Sequence, residues 1–253
     1  MAAVRGVTQQ RQALDDLRRI NQDLQSFTYS LAHDLRTPLR SLAGFSTLLI
    51  EDYADTLGAD GRGYAQRIEA ASEHMGRILD DLLQLSGISQ AKISLQPVDL
   101  GAEAAAVAAE LQRQDPGRHV RFTIQQPAWA LADVALIREV LRNLLGNAWK
   151  FTSGRDNASI EFGMIPATGA RVCCYVRDNG AGFDPAFVHK LFQPFQRLHA
   201  TGGFAGTGIG LASVRQAVDR HNGRTWAEGT VGGGATFFFT LQAAEPARPP
   251  DEW

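Results

Sequence analysis

The chain has 253 residues, of which 44% are hydrophobic and 21% are charged, and its formal net charge is −2 at pH 7. This length and composition allow one large buried core or two ordinary ones, as in a globular protein. The charge gives no electrostatic signal for nucleic-acid binding, and the apolar runs are far shorter than the ~20 residues of a membrane-spanning helix.

The first predicted element is a long helix over residues 8–56. Apolar residues recur at the seam positions of a heptad from Leu14 to Leu49, which is typical of a helix that packs along one face. His33 falls at position f, opposite this seam, so its imidazole is predicted to be exposed. Residues 1–26 are interpreted as a helical linker, and the N-terminus lacks the apolar core of a signal peptide, so export is not expected.

A second helix is predicted from Tyr64 to Leu85, after a break at Leu57–Gly63. Two amphipathic helices joined by a short turn form an antiparallel hairpin, but a single hairpin leaves much of its apolar surface exposed. Pairing of two hairpins in a dimeric four-helix bundle covers that surface. We therefore expect a helical dimerisation domain over residues 27–90.

Beyond residue 90 the pattern mixes helices with strands, which indicates an α+β fold with an α/β sandwich over residues 91–243. The tail at residues 244–253 is predicted to be disordered. The predicted helices cover residues 100–114, 133–151 and 208–221, and the predicted strands cover residues 119–125, 158–165, 170–177, 224–228 and 234–241.

The two cysteines of the chain, Cys173 and Cys174, are adjacent in the strand predicted over residues 170–177. Neighbouring side chains of a strand point to opposite faces of the sheet, so these thiols cannot form a disulfide framework. A reducing, cytoplasmic location is the simplest interpretation.

The segment FTYSLAHDLRTP at residues 27–38 contains the first candidates for chemistry. A neutral imidazole such as that of His33 is a competent nucleophile, and the adjacent Asp34 can orient the ring and accept the proton released when a ring nitrogen attacks phosphorus. Thr37 lies one turn further on, shares the face of His33 and can position a water molecule. A lone exposed histidine more often has no function, so this interpretation depends on a second site.

Three polar residues of the helix predicted over residues 133–151 share one face, because Asn143, Asn147 and Lys150 are four and three residues apart. A carboxamide oxygen is a suitable ligand for Mg²⁺ that carries phosphates, and the lysine adds positive charge for the same anion. Amides on a helix face more often cap or bridge structure, so this segment is not decisive alone.

The run DNGAGFD begins with Asp178 at the end of an apolar strand. Its glycines, Gly180 and Gly182, permit close backbone approach and positive φ. Asp178 can accept a hydrogen bond from an exocyclic amino group such as that of adenine. An ordinary Asp-Asn-Gly turn is the alternative.

The run GTGIGLASV leads into an apolar helix, so its N–H groups and the helix dipole suit a di- or triphosphate. Many tight turns look alike, so this run is weak evidence by itself. The glycine-rich segment before it has the composition of a lid over a nucleotide, and Phe192 and Phe195 either anchor that lid or belong to a satellite core. The polar and glycine positions of the run are Gly206, Thr207, Gly208 and Gly210.

In this order, the segments AHDLRTP, NLLGNAWKF, DNGAGF, LFQPF and GTGIGLA resemble the motifs of sensor histidine kinases of two-component signalling. The resemblance covers about residues 14–242 and is greatest to the phytochrome-related and PAS-linked branch. It implies a dimerisation and histidine phosphotransfer domain over residues 27–90. It also implies a catalytic ATP-binding domain, of the type shared with gyrase and a heat-shock chaperone, over residues 91–243.

The resemblance also implies roles for individual residues. His33 is the phosphoacceptor and Asp34 its acid/base neighbour, and Thr37 is compatible with removal of phosphate from a partner aspartate. Asn147 binds Mg²⁺, Lys150 binds the phosphates and Asp178 binds the adenine. The remaining nucleotide-binding positions are Asn143, Gly180, Gly182, Phe192, Phe195, Gly206, Thr207, Gly208 and Gly210.

The expected function is ATP-dependent autophosphorylation of His33, followed by phosphoryl transfer to an aspartate of a response regulator. ATP and Mg²⁺ are the expected cofactors. The expected partners are a second copy of the chain, a receiver domain, and a PAS or phytochrome-like sensor domain outside this sequence, with no nucleic acid and no membrane for this segment. A catalytically silent dimeric scaffold and an ATP-hydrolysing enzyme of the same superfamily are the alternatives. Asn143 stands where the ATP-hydrolysing relatives keep a glutamate base, which disfavours attack by water.

Overall fold

The computed structural model describes residues 20, 30–53, 56–90, 92–167, 169–196 and 206–244. The chain divides into two compact units, Met1–Gly87 and Ile88–Trp253. The predictions of a helical linker at residues 1–26 and of a disordered tail fall outside the described residues, apart from residue 20 and residue 244. The same holds for most of the predicted lid.

The first unit is a hairpin of two helices, α1 at residues 30–52 and α2 at Gly58–Gln90. α2 begins six residues before the predicted start at Tyr64. Gly58 adopts a positive φ of 61° at the start of α2, a conformation that glycine accepts readily, and the acidic Asp60 in the first turn suits the helix dipole.

The two helices pack through small side chains. The buried residues include Ala32 and Ser46 on α1, fourteen positions apart, and Ala65 and Ser72 on α2, seven positions apart. Two polar contacts join the helices across this stripe: Arg36 donates to Asp80 at 2.5 Å, and Thr47 donates to Glu69 at 2.6 Å. The predicted helical hairpin is therefore present.

The apolar seam predicted from the heptad does not face the partner helix of the same hairpin. It forms a separate stripe that stays exposed within one chain, and Phe45 is 67% exposed. We call this surface the apolar stripe; it consists of Leu31, Leu35, Leu42, Phe45 and Leu49 on α1 and Tyr64, Ile68 and Met75 on α2.

The second unit is a mixed sheet covered by helices on one face. The strands are β1 Gln96–Asp99, β2 Arg121–Ile124, β3 Trp129–Ala132, β4 Ser159–Ala167, β5 Arg171–Asp178, β6 Thr225–Thr230 and β7 Gly234–Ala243. They lie in the order β1-β3-β7-β5-β4-β2, with β6 beside β7, and only the pair β2 and β4 is parallel among the described strands. The helices are α3 Leu100–Gln114, α4 Val134–Phe151 and α5 Gly210–Arg220, with a 3-10 helix at Pro185–Lys190.

Two aspartates end a strand and start a helix. Asp99 is the last residue of β1 and the N-cap of α3, and its carboxylate accepts from the N–H groups of Gly101 and Ala102. Asp133 follows β3 and caps α4 in the same way. Because an Asp at the N-cap satisfies free N–H groups of the first turn, these helices begin where the sequence predicted.

The core lies between the sheet and the helices. The inward side chains of β4, β5 and β7, such as Phe162, Val176 and Phe239, are fully buried against Leu141 and Leu145 of α4. The α+β class and the sandwich predicted from the sequence are confirmed. Among the described helices, none combines the length and the apolar character needed to cross a bilayer.

Candidate functional sites

His33 lies on the exposed surface of α1, as predicted. Its side chain is 68% exposed, and its Nδ1 is 3.2 Å from Oδ1 of Asp34. A carboxylate only accepts hydrogen bonds, so Nδ1 carries the proton and donates it. This tautomer leaves the lone pair on Nε2, which makes Nε2 the nucleophilic nitrogen of the ring.

Thr37 lies one turn after His33 and is also exposed. Its carbonyl accepts a hydrogen bond from the Ser41 hydroxyl at 3.2 Å. His33, Asp34 and Thr37 therefore share one exposed part of α1.

The polar face of α4 is set by the burial of its opposite face. Leu141, Leu144 and Leu145 are buried in the core, which turns Asn143 and Asn147 towards the other side, where both are half-buried. Asn143 donates from Nδ2 to the backbone carbonyl of Glu139 at 3.1 Å and to the carboxylate of Glu139 at 2.5 Å.

Lys150 lies at the last turn of α4. Its Nζ is 4.3 Å from the ring centroid of Phe151 and lies beside Gly206, where a Cβ would approach it to 3.2 Å. The cation is thus placed at the glycine-rich run before α5, where an anion bound by that run would meet it.

Asp178 ends β5 and is only 6% exposed. Its Oδ1 accepts a hydrogen bond from the N–H of Gly180 at 2.8 Å. Burial raises the pKa of the Asp178 carboxyl to about 6, although backbone hydrogen bonds from Gly180 and Ala235 lower it. A carboxylate has about four acceptor positions, so it can accept a hydrogen bond from a ligand in addition to these two.

The loop after Asp178 is fixed by close backbone contacts. A Cβ on Gly180 would clash with the carbonyl of Phe151 at the end of α4, and a Cβ on Gly182, whose φ is 64°, would clash with the carbonyl of Thr230. The N–H of Ala181 donates to the Phe151 carbonyl at 3.0 Å. These contacts join the loop to the C-terminal end of α4 and to the β6–β7 turn.

The glycine-rich run before α5 packs against the polar face of α4. A Cβ on Gly210 would clash with Oδ1 of Asn143, so the first residue of α5 touches that amide. Gly208, with φ of 77°, accepts at its carbonyl from the N–H of Phe195 at 3.0 Å. The hydroxyl of Thr207 accepts from the N–H of Ile209 at 3.4 Å.

The two phenylalanines of LFQPF have different surroundings. Phe192 packs edge-on against Phe237 at a centroid distance of 6.5 Å, as in the satellite-core alternative. Phe195 is 54% exposed, with φ of 63°, and is joined to the glycine-rich run by its hydrogen bond to Gly208.

Two residues at this site were missed by the sequence analysis. Glu139 contacts Asn143, and its i, i+4 spacing on α4 is a signal that could have identified it. Arg155 donates to the carbonyls of Gly180 and Gly232 and so joins the Asp178 loop to the β6–β7 turn. No motif contains Arg155. It borders an open polar cavity of about 470 Å³ whose lining also includes Asn157.

The candidate ligand atoms at the site suit a metal ion that is held partly by phosphates. Among the described residues, no group of three or more His, Cys, Asp and Glu side chains is placed to hold a metal ion. Mg²⁺ usually keeps few protein ligands and takes its other oxygens from phosphates and water. The carboxamide oxygens on the polar face of α4 suit such a role.

Two models of known protein families match this chain. The family model of histidine kinase-, DNA gyrase B- and HSP90-like ATPases matches residues 132–245. The model of the His Kinase A (phospho-acceptor) domain matches residues 23–91.

Similar proteins include sensor kinases of bacteria and archaea. Cyanobacterial phytochrome B of Nostoc sp. is 34% identical over 230 residues, which are 90% of this chain and 30% of the relative. The methanogenesis regulatory histidine kinase FilI of Methanothrix harundinacea is 30% identical over 240 residues, covering 94% of this chain and 27% of the relative. The aerobic respiration control sensor protein ArcB of Escherichia coli is 28% identical, covering 98% of this chain and 32% of the relative. The chain thus spans about a third of the length of these curated relatives.

Solved structures agree with these matches. Full-length ShkA in complex with AMPPNP has a TM-score of 0.63 and 26% identity, covering 87% of this chain and 47% of that chain. The histidine kinase AdeS of Acinetobacter baumannii has a TM-score of 0.56 at 19% identity, covering 84% of this chain and 98% of that chain, and shares the fold.

A helical hairpin with an exposed histidine, followed by an ATPase-type sandwich, defines a class of ATP-binding signalling proteins. The chain belongs to the protein-histidine kinases of two-component signalling, as the sequence motifs predicted, and its similarity to cyanobacterial phytochromes confirms the predicted branch. A phosphoacceptor module of this family implies dimerisation, and the ATPase module implies ATP binding.

Proposed function

We propose that this chain phosphorylates itself on His33 with ATP and then passes the phosphoryl group to an aspartate of a response regulator receiver domain. The observation that carries the proposal is the pairing of His33 with Asp34 on an exposed helix surface, with Nδ1 at 3.2 Å from the carboxylate. It is supported by the polar face of α4 and the glycine-rich run, which come together in the second unit.

In the proposed reaction, Nε2 of His33 attacks the γ-phosphorus of ATP. A nitrogen–phosphorus bond forms, the bond between the γ-phosphorus and the bridging oxygen breaks, and ADP leaves with that electron pair. The proton on Nδ1 remains hydrogen-bonded to Asp34, whose carboxylate stabilises the positive charge that develops on the ring. Lys150 offsets negative charge on the phosphates.

Mg²⁺ is assigned to Asn147, with Asn143 beside it on the same face, and when bound it would neutralise phosphate charge. Asn143 has no carboxylate with which to activate water, which favours transfer to histidine over hydrolysis. The ATP-hydrolysing alternative is therefore less well supported. The intact contacts among the nucleotide-site segments likewise favour a kinase over a silent scaffold.

Four further proposals concern partners, location and a second activity. The apolar stripe is the surface that a second copy would cover in a four-helix bundle. An upstream sensor domain is supported by the phytochrome relatives. A cytoplasmic location is supported by the free thiols of Cys173 and Cys174. Dephosphorylation of the regulator is assigned to Thr37, which lies one turn from His33.

Replacing His33 with glutamine tests the proposal. The variant His33→Gln should lose all acid-labile labelling from γ-labelled ATP, because the nucleophile is gone, and should still bind nucleotide. His119, an exposed histidine of the second unit, provides the matched control His119→Gln, which should label normally. Acid-labile label that persists in His33→Gln would refute the assignment.

A further inference from the structure

The side chain of Asn143 is held by a single neighbouring residue. Its Nδ2 donates to both the backbone carbonyl and the carboxylate of Glu139, at 3.1 Å and 2.5 Å. Glu139 lies one turn earlier on α4 and is half-buried. Its neighbours Arg138 and Arg142 pair instead with Glu103 and Glu110 of α3.

These contacts determine which end of the Asn143 amide faces the nucleotide site. A backbone carbonyl and a carboxylate both only accept hydrogen bonds, so the amide nitrogen must face Glu139. The amide nitrogen is then engaged by Glu139, and Oδ1 is turned to the other side. There it lies against Gly210, the first residue of α5 and part of the glycine-rich run.

We infer that Glu139 is a positioning residue that fixes the Asn143 amide so that it presents an oxygen, and no N–H donor, to the nucleotide site. The inference rests on the proposed function, because it takes Asn143 to face Mg²⁺ and phosphates. An amide oxygen is a ligand for a hard cation, whereas an N–H group would repel it. Glu139 thereby makes the site selective for nucleotide that arrives with a divalent cation.

The test is the Mg²⁺ dependence of nucleotide binding, measured by titrating the full chain with a fluorescent ADP analogue from excess EDTA to millimolar Mg²⁺. Glu139→Ala should raise the Mg²⁺ concentration that gives half-maximal effect by about tenfold, as the loss of a partner behind a metal ligand typically does. Binding in EDTA should be unchanged. Glu139→Gln should keep the parental Mg²⁺ dependence, because a glutamine oxygen can accept the same hydrogen bond.

Glu110→Ala is the matched control, since Glu110 of α3 pairs at the surface with Arg142 of α4 at 3.6 Å. Equal Mg²⁺ dependence in Glu139→Ala and Glu110→Ala would overturn the inference. So would a glutamine variant as defective as the alanine variant, because the negative charge would then matter and not the orientation of the amide.

The variant Asn143→Ala separates this inference from the proposed function. If Asn143→Ala shifts the Mg²⁺ dependence and Glu139→Ala does not, the inference alone fails. If Asn143→Ala also keeps the parental Mg²⁺ dependence, the proposed placement of Asn143 at the cation fails, and the inference fails with it.

Discussion

At the scale of single residues, the buried carboxyl of Asp178 has opposite effects on folding and on binding. Its pKa is raised to about 6 by burial, so the folded chain binds more protons than the unfolded chain between the ordinary aspartate value and pH 6. The free energy of unfolding therefore falls as pH rises through this window, by on the order of 3 kcal/mol. At neutral pH the charged form is retained at the expense of stability, as expected for a group that accepts a hydrogen bond from a ligand.

The substitution Asp178→Asn should separate these two effects. The variant should lose the decrease in stability between about pH 4 and about pH 6, because nothing titrates at this position. Its nucleotide affinity should fall by about 1.5–3 kcal/mol, the usual contribution of a hydrogen bond to a charged group. Denaturant unfolding at several pH values and nucleotide titration at neutral pH provide the two measurements.

Asp184 offers a matched control in the same loop. It is exposed and caps the 3-10 helix by accepting from the N–H of Ala186 at 2.9 Å, a role that asparagine also fills. Asp184→Asn should therefore behave as the parent. Unchanged nucleotide affinity in Asp178→Asn would contradict the assignment of Asp178 to the adenine.

At the scale of elements, Arg155 joins segments that are distant in the sequence. Its guanidinium contacts the carbonyl of Gly180 at 3.1 Å and that of Gly232 in the β6–β7 turn. The N–H of Gly232 donates in turn to the carbonyl of Ala181 at 2.7 Å. The Asp178 loop and the β6–β7 turn are thus held as one assembly.

Removal of Arg155 should loosen this assembly. We expect Arg155→Ala to lower the free energy of unfolding by about 1–2 kcal/mol, the usual effect of losing hydrogen bonds from a charged donor. Amide hydrogen exchange at Ala181 and Gly232 should become faster, and nucleotide binding should weaken. Arg171→Ala is the matched control, because Arg171 donates to the Asn222 carbonyl at 2.6 Å, away from the loop. Equal exchange rates in both variants would contradict the role of Arg155.

The elements also show which parts of the fold the sequence reveals. The helices and the long strands of the second unit have clear periodicity and were predicted close to their observed bounds, whereas α2 extends beyond its predicted bounds at both ends. Strands β1 and β3 were missed, because four residues are too few to establish alternation, and each is stabilised chiefly by pairing with the other and with β7. In the hairpin, the large apolar residues predicted a seam, whereas small residues such as Ala32 and Ser72, which carry little hydrophobic signal, form the contact between α1 and α2.

At the scale of the whole molecule, the apolar stripe predicts how copies of the chain associate. Phe45 is 67% exposed in the middle of this stripe. Phe45→Lys should weaken the dimer strongly, because a charge would have to be buried in an apolar interface, while the hairpin should stay helical. Gln66→Lys, at an exposed position of α2 outside the stripe, is the control. Sedimentation of the two variants measures the effect, and a Phe45→Lys chain that dimerises as well as the control would contradict the prediction.

The candidate sites, like the fold, contain some residues that the sequence reveals and others that it does not. Residues within ordered motifs, such as Asn147 and Asp178, could be singled out from the sequence because their chemistry and spacing are recorded there. Glu139 and Arg155 act through contacts that exist only after folding, with an amide orientation in one case and two distant carbonyls in the other. Their roles follow from tertiary placement, which the sequence pattern does not specify.

The position of His33 relative to the apolar stripe has a consequence for control. The imidazole lies on the side of α1 opposite Leu31 and Leu35. The apolar stripe, which is proposed to bind a second copy, and the proposed phosphoacceptor therefore occupy different sides of the same helix. A nucleotide donor or an acceptor protein can reach the ring while the subunits remain joined. Exposure of the ring therefore does not depend on separation of the subunits.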